Sequence, residues 1–140
     1  MRQGVFDFYA TDHAPHTLEE KFQGSPGFPA LELALPLFLT KTRNVALVSR
    51  LYCEAPAAYL GIRKGKIARG YSADLVVIGR RDSVVDPEKF VSKGRVTPFV
   101  GETLRFAVER VFKNGMTVYD AEGARFTKHA PVLITRGHLH

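Results

Sequence analysis

The run Val5-Phe6-Asp7-Phe8-Tyr9-Ala10-Thr11-Asp12-His13-Ala14-Pro15-His16 decides how this chain is read. Its first half is short, apolar and aromatic, and reads as a strand over Val5–Ala10. Its second half turns polar at once. A strand that runs into Asp and His fixes the loop behind it, which is a common way to build a site. Pro15 biases Ala14 away from the helical region. The segment therefore reads as an extended loop, not as a helical turn presenting ligands four residues apart. Asp12, His13 and His16 are hard-to-borderline donors that suit Zn²⁺ or a similar divalent ion. Taken alone, two His and an Asp in a loop more often make a polar surface or turn than a site.

Working outward, Thr17 and Glu20 have the spacing of a capping box, so Thr17–Lys21 reads as a helical turn. Gln23-Gly24-Ser25-Pro26-Gly27-Phe28-Pro29 is a loop by its Gly and Pro content. Ala30–Lys41 has a helical pattern with Leu31, Ala34, Leu35 and Phe38 on one face, and Pro36 is expected to kink or split it. A second helix is expected over Asn44–Glu54, and a further turn over Ala57–Leu60, stopped by Gly61. After Gly61 the character changes. Lys64–Gly70 is basic and Gly-punctuated, and Ala73–Gly79 reads as a buried strand. Arg105–Lys113 alternates, Asn114-Gly115 is a strong hairpin signal, and Met116–Tyr119 is the returning strand. Val132–Thr135 is a candidate final strand. The division is thus strand, loop and helices over 1–61, then a small β-rich region over 62–140.

Composition bounds the class. With 140 residues, 45% apolar and 24% charged, the chain fits one folded domain with a modest core. The lone Cys53 cannot form an internal disulfide, which suits a reducing cytoplasmic setting. Met1-Arg2-Gln3-Gly4 is not followed by the apolar region of a signal peptide. The longest apolar stretch, Ala30–Leu39, is interrupted by Glu32 and Pro36 and is too short to span a bilayer. The net charge of +6 comes from scattered Lys and Arg without a nucleic-acid motif. It reads as a basic soluble protein, or as a field that attracts small anions, rather than as a nucleic-acid surface.

Thr11-Asp12-His13-Ala14-Pro15-His16 after an apolar strand resembles the signature of the dihydroorotases within the amidohydrolase superfamily. Further blocks follow in the same order as in that family. Ser25-Pro26-Gly27-Phe28-Pro29-Ala30-Leu31-Glu32 is similar to its Pro-Gly-Phe-Pro-Gly-Leu-Glu loop. Glu54–Gly61 is similar to its Asn-Pro-Ala-Arg helix, and Lys64–Val77 to its Lys-Gly-x-Ile-x-x-Gly-x-x-Ala-Asp-Leu-Val run. Ser92-Lys93-Gly94 with Thr97-Pro98-Phe99-Val100-Gly101 matches its Ser-Lys and Thr-Pro-Phe segment, and Lys113–Tyr119 its closing hairpin.

The resemblance implies an α/β fold: the C-terminal part of a (β/α)₈ metal-dependent hydrolase barrel, with Val5–Ala10 as its last strand and a small β-sandwich segment after it. It implies a zinc cofactor, with Asp12 as metal ligand and proton shuttle. It implies that His16 contacts the substrate carboxylate, and that Pro26 and Gly27 lie in the loop whose backbone contacts the ring. His13 receives no role from the family and reads as structural. The implied reaction opens dihydroorotate to N-carbamoyl-L-aspartate, in pyrimidine biosynthesis. Hydantoinases, dihydropyrimidinases and allantoinases are close relatives. A bound metal lowers the pKa of its water towards ~7 and polarises the amide carbonyl. A carboxylate beside that water can pass its proton to the leaving nitrogen.

The departures bear on activity. A (β/α)₈ barrel takes roughly 200 residues or more. The family's His-x-His, its bridging Lys or Asp and its other metal histidines have no counterparts before Asp12. Ala55 replaces the Asn of the family's helix motif, and Ala30 the second Gly of its loop. His138-Leu139-His140 has His-x-His spacing, but it lies where the family has no ligands and reads as a polar tail; His129 reads as a surface residue. The chain is therefore expected to be inactive alone, or to be a non-catalytic scaffold. It is expected to form a homo-oligomer, to pair with a complementing subunit, or to rearrange into a small α+β fold. Neither a nucleic acid nor a membrane is an expected partner.

Overall fold

The computed structural model describes residues 5–123. Helix α1 (Leu18–Phe22) opens on the expected capping box: the Thr17 hydroxyl accepts from the Glu20 amide, and the Thr17 amide donates to the Glu20 carboxylate at 2.7 Å. Helix α2 (Leu31–Thr42) is continuous through Pro36, so the expected split does not occur. Pro36 lies near enough to the N-terminal end that its missing N–H leaves only the Glu32 carbonyl, in the first turn, without its helical donor. The ring itself is buried. The buried face also differs from the expected one. Leu33, Ala34, Pro36, Phe38 and Leu39 are inside, while Leu31 is exposed.

Helices α3 (Val45–Val48) and α4 (Ala55–Tyr59) are joined by a π-helical stretch, Ser49–Glu54. The Asn44 side chain caps α3 by accepting from the Leu47 amide at 2.9 Å. Gly61, at φ 67°, follows the last turn as a left-handed stop. Strands β1 (Leu75–Val84), β2 (Thr103–Lys113) and β3 (Met116–Asp120) form a three-stranded sheet in the order β1-β2-β3. The hairpin is where the sequence places it. Lys113 pairs with Met116, and Asn114 and Gly115 have φ of 49° and 79°, the positive values a type I′ turn requires. A register shift between Val111 and Phe112 marks a bulge. The strand read as buried over Ala73–Gly79 is longer and more open than expected. Val76 and Val77 are exposed, because among the described residues the sheet has no apolar layer over them.

Val5–Ala10 is not a strand. A parallel barrel strand exists only between neighbours that satisfy its backbone, and the described residues place no strand beside it. The Tyr9 amide instead donates to the Leu51 carbonyl at 2.8 Å. Phe8 packs on Tyr59 and Tyr9 on Tyr52, with ring centroids 5.4 and 5.5 Å apart. Val5 and Phe6 remain exposed.

The chain forms two compact units that interleave along the sequence. Among the described residues, one contains 5–9, Asn44–Gly79 and 108–123. Its buried side chains include Val48, Leu51 and Ala57. Asp74 organises its loops, pairing with Lys64 and accepting from the Asn114 amide at 2.8 Å. The other unit contains Ala10–Arg43 and Arg80–Ala107. Its core is Leu33, Val85, Phe90 and Leu104, with Leu37 and Phe99 packed against it. Burying each of these large side chains is worth about 1.5–3 kcal/mol. The expected strand at Val132–Thr135 lies outside the described residues.

Candidate active site

The polar run Thr11–His16, α1, the Pro26–Pro29 loop and α2 all belong to the second unit. Asp12 is exposed and adopts φ 47°, in the left-handed region that Asp tolerates better than most residues. Its carboxylate makes no hydrogen bond or ion pair among the described residues. The turn is tightened two residues later, where the His16 amide donates to the Ala14 carbonyl across Pro15 at 2.9 Å. This i→i+2 closure is a γ-turn-like geometry.

The Pro26–Gly27 loop rests directly on this turn. The Ala14 amide donates to the Phe28 carbonyl at 3.2 Å. Gly27 has φ 95°, and a Cβ there would lie 2.5 Å from the Ala14 Cβ, so only glycine permits the approach. Lys21, on α1, donates to the Gly27 carbonyl. The structure thus brings the segment holding Asp12 and His16 against the segment holding Pro26 and Gly27.

His16 points its Nδ1 towards Glu20 at 3.6 Å. Hydrogen bonds from the Thr17 backbone and side chain, followed by the nearby His16, hold the Glu20 carboxyl below its usual range. His13 is engaged differently. Its Nδ1 accepts from the Ala30 and Leu31 amides at 3.0 and 3.1 Å, at the N-terminus of α2. An accepting Nδ1 leaves the ring hydrogen on Nε2. The structural reading of His13 agrees with this geometry.

Sequence reasoning missed two residues beside the turn. The Glu32 carboxylate accepts from the Val91 amide at 2.8 Å and the Ser92 amide at 2.9 Å. Burial tends to raise its pKa, but the Ser92 side chain, the Val91 and Ser92 amides and His13 together bring it below the usual glutamate range. Gly94 is buried, and a Cβ there would lie 2.4 Å from the His16 carbonyl oxygen and 2.9 Å from the Pro15 carbonyl carbon. Phe99 meets Phe28 edge-on at 5.8 Å between centroids. Both missed residues fall inside blocks already visible in the sequence, but their partners are distant along the chain.

The described donors do not gather into a metal-ligand cluster. Zinc takes three or four protein ligands, and no cluster of three or more His, Cys, Asp or Glu side chains occurs among the described residues. His13 has its Nδ1 occupied by amides, and His16 faces Glu20. Asp12 remains as a single carboxylate. His129, His138 and His140 lie outside the described residues.

This fold and this turn define a class. The profile of the Amidohydrolase family matches residues 1–118, and the chain belongs to that family. Its relatives there are cyclic-amide enzymes. The chain is 45% identical over 125 residues to a dihydroorotase of Clostridium botulinum, covering 85% of this chain and 31% of the relative. It is 39% identical over 129 residues to a dihydroorotase of Listeria welshimeri, covering 85% and 30%. Among solved structures it is similar to a D-hydantoinase (dihydropyrimidinase) from Thermus sp., with TM-score 0.81 and 25% identity, over 91% of this chain and 31% of that one. An L-hydantoinase (dihydropyrimidinase) from Arthrobacter aurescens gives TM-score 0.75 at 29% identity, over 84% and 29%. The chain therefore spans about a third of the length of the relatives it matches. Its helices and open sheet form a partial, barrel-like α/β arrangement of the amidohydrolase type.

Proposed function

We propose that this chain supplies one wall of a dihydroorotase-type active site, acting on dihydroorotate and N-carbamoyl-L-aspartate. The observation that carries the reading is the Thr11–His16 turn seated on the Pro26–Phe28 loop. It leaves Asp12 exposed, with a carboxylate unbonded among the described residues, in the segment that packs on the Pro26–Gly27 loop. In ring opening, a water oxygen bonds to the amide carbonyl carbon and the ring C–N bond breaks. Asp12 accepts the proton released by the water and delivers it to the leaving nitrogen. His16 donates to the substrate carboxylate, and the Pro26–Gly27 backbone orients the ring. Residues 1–61 carry this chemistry, and the region over 62–140, with its sheet β1–β3, supports it. The remaining groups of the site, including any zinc ligands beyond Asp12, come from polypeptide outside this sequence, and the assembly works in the cytoplasm as an oligomer or a complemented subunit.

The test is complementation. The chain is fused in frame behind the N-terminal two thirds of the Clostridium botulinum dihydroorotase and assayed with dihydroorotate. The fusion should turn over and its Asp12→Ala variant should lose at least about a hundredfold in kcat, as expected for a lost general base. The chain alone should be inactive. Turnover by the unfused chain, abolished by Asp12→Ala, would refute the incomplete-wall reading; a folded but inactive fusion would refute the active-site reading. A second reading, a hydantoinase wall, is favoured by the structural similarity to the Thermus sp. enzyme. It predicts faster turnover of hydantoin than of dihydroorotate by the same fusion. A third, a non-catalytic scaffold, draws on the lack of a metal-ligand cluster among the described residues, and predicts no turnover of either.

A further inference from the structure

The contacts around the turn have a connectivity that the roles of Asp12, His16, Pro26 and Gly27 do not require. His13 leaves the turn and binds the start of α2 through the Ala30 and Leu31 amides. In the first turn of that helix, Glu32 binds the next loop, with Oε2 taking the Val91 amide and Oε1 the Ser92 amide. Two residues further on, Gly94 returns to the turn and lies against the Pro15–His16 backbone. The path begins at His13 and ends at His16, so it closes on itself.

We propose that His13, Glu32 and Gly94 form a closed brace that fixes the Asp12–His16 turn, with His13 and Glu32 as positioning residues for the hydrolysis proposed above, on which this inference rests. The chemistry fits that task. The N-cap residue of α2, Ala30, has no side-chain cap of its own, and a lone-pair acceptor from another segment is favourable at a helix N-terminus. Hydrogen bonds to an ionised carboxylate are stronger than neutral ones, and both oxygens of Glu32 are used, which fixes its orientation. Gly94 leaves no room for a side chain that would hold the loop away. Asp12 has a left-handed backbone and a side chain unbonded among the described residues, so its aim is set by the backbone on either side. The brace sets the C-terminal side. A plain helix-capping role accounts for the His13 bonds but not for the Glu32 pair or the Gly94 contact.

Amide hydrogen exchange on the purified full chain separates the two. His13→Ala should speed exchange about tenfold at Ala30 and Leu31. If the ring is closed, Val91 and Ser92 should also speed up by a similar factor, although His13 does not touch them. Exchange in the Arg110–Asp120 hairpin should stay unchanged, which shows that the variant folds. His13→Asn, whose side-chain oxygen can stand where Nδ1 stands, should restore protection at all four amides. Glu32→Ala should act in reverse, speeding exchange at Ala30 and Leu31. Acceleration confined to Ala30 and Leu31 in His13→Ala, or a failure of His13→Asn to rescue, overturns the brace. In the fusion enzyme, His13→Ala should lower kcat/KM for dihydroorotate about tenfold, and His13→Asn should recover most of it. An inactive wild-type fusion would remove the proposed function while the exchange pattern still decides the brace.

Discussion

Two turns of this chain are held by opposite means. The hairpin turn at Asn114–Gly115 joins strands adjacent in sequence, and its ion pair, Arg110 with Asp120 at 2.8 Å, spans ten residues. The turn at Thr11–His16 has no paired strands to hold it. It relies on bonds between residues 17 and 18 apart, from His13 to the start of α2, and on a link 59 and 60 residues long from Glu32 to Val91 and Ser92. Local closure needs little loop entropy, whereas distant closure is reached only once the surrounding unit has folded. The hairpin is thus paired locally and only anchored from afar, through the Asn114–Asp74 and Gly115–Ala73 bonds, whereas the candidate site is joined to its surroundings by distant contacts.

Gly94→Ala should break the tertiary turn most severely. The new methyl meets backbone atoms on the Pro15–His16 side, not a flexible side-chain end, so the loop or the turn must move. Overpacking of this kind costs about 1–3 kcal/mol. A urea titration should show the lost stability, and amide exchange should rise at Val91 and Ser92 while the hairpin amides hold. Equal acceleration in both regions would mean that the two turns are not independent.

Gly115→Ala reverses the comparison at a smaller cost. At φ 79° an alanine is strained, but its methyl would meet only the Ala73 Cβ at an ordinary 3.9 Å. The cost is conformational, about 1 kcal/mol. Exchange should rise at Asn114 and along β3, and the amides of Ala30, Leu31, Val91 and Ser92 should not respond.

The same contrast explains what the sequence made legible. Asn114-Gly115, the Thr17–Glu20 capping box and the stop at Gly61 carry their physics within a few residues, and all three occur as expected. Asp12, His16, Pro26 and Gly27 were visible as motif residues, but the contact between Ala14 and Gly27 that joins them was not. Glu32 is visible in the sequence only as an interruption of the apolar Ala30–Leu39 stretch and the end of a motif block, because its partners lie on a loop that follows the sheet's first strand. Val5–Ala10 failed for a related reason. Its composition is strand-like, yet a strand is defined by neighbours, and the described residues supply none beside it. The continuous helix through Pro36 shows that a proline near the start of a helix removes one backbone bond without ending the helix.

Acid should act on both turns through different carboxylates, with the smallest effect of the three perturbations. Glu32 serves the tertiary turn, and its pKa lies below the usual range despite a burial penalty. Asp74 serves the hairpin turn by accepting from the Asn114 amide. Burial raises its pKa, but Lys64, the Asn114 amide and Lys113 outweigh it and bring it below the usual range. A carboxyl depressed in the folded state contributes stability at pH values above its unfolded pKa, about 4.3 for Glu and 3.9 for Asp. That contribution is lost as pH falls through the folded value. The amide proton shifts of Val91 and Ser92 should therefore titrate with Glu32, below the ordinary glutamate range, and that of Asn114 with Asp74, below the ordinary aspartate range. Glu32→Gln should abolish the titration at Val91 and Ser92 and leave that of Asn114 in place. If Asn114 lost its titration as well, the local turn would depend on the distant one, and the separation drawn between them would not hold.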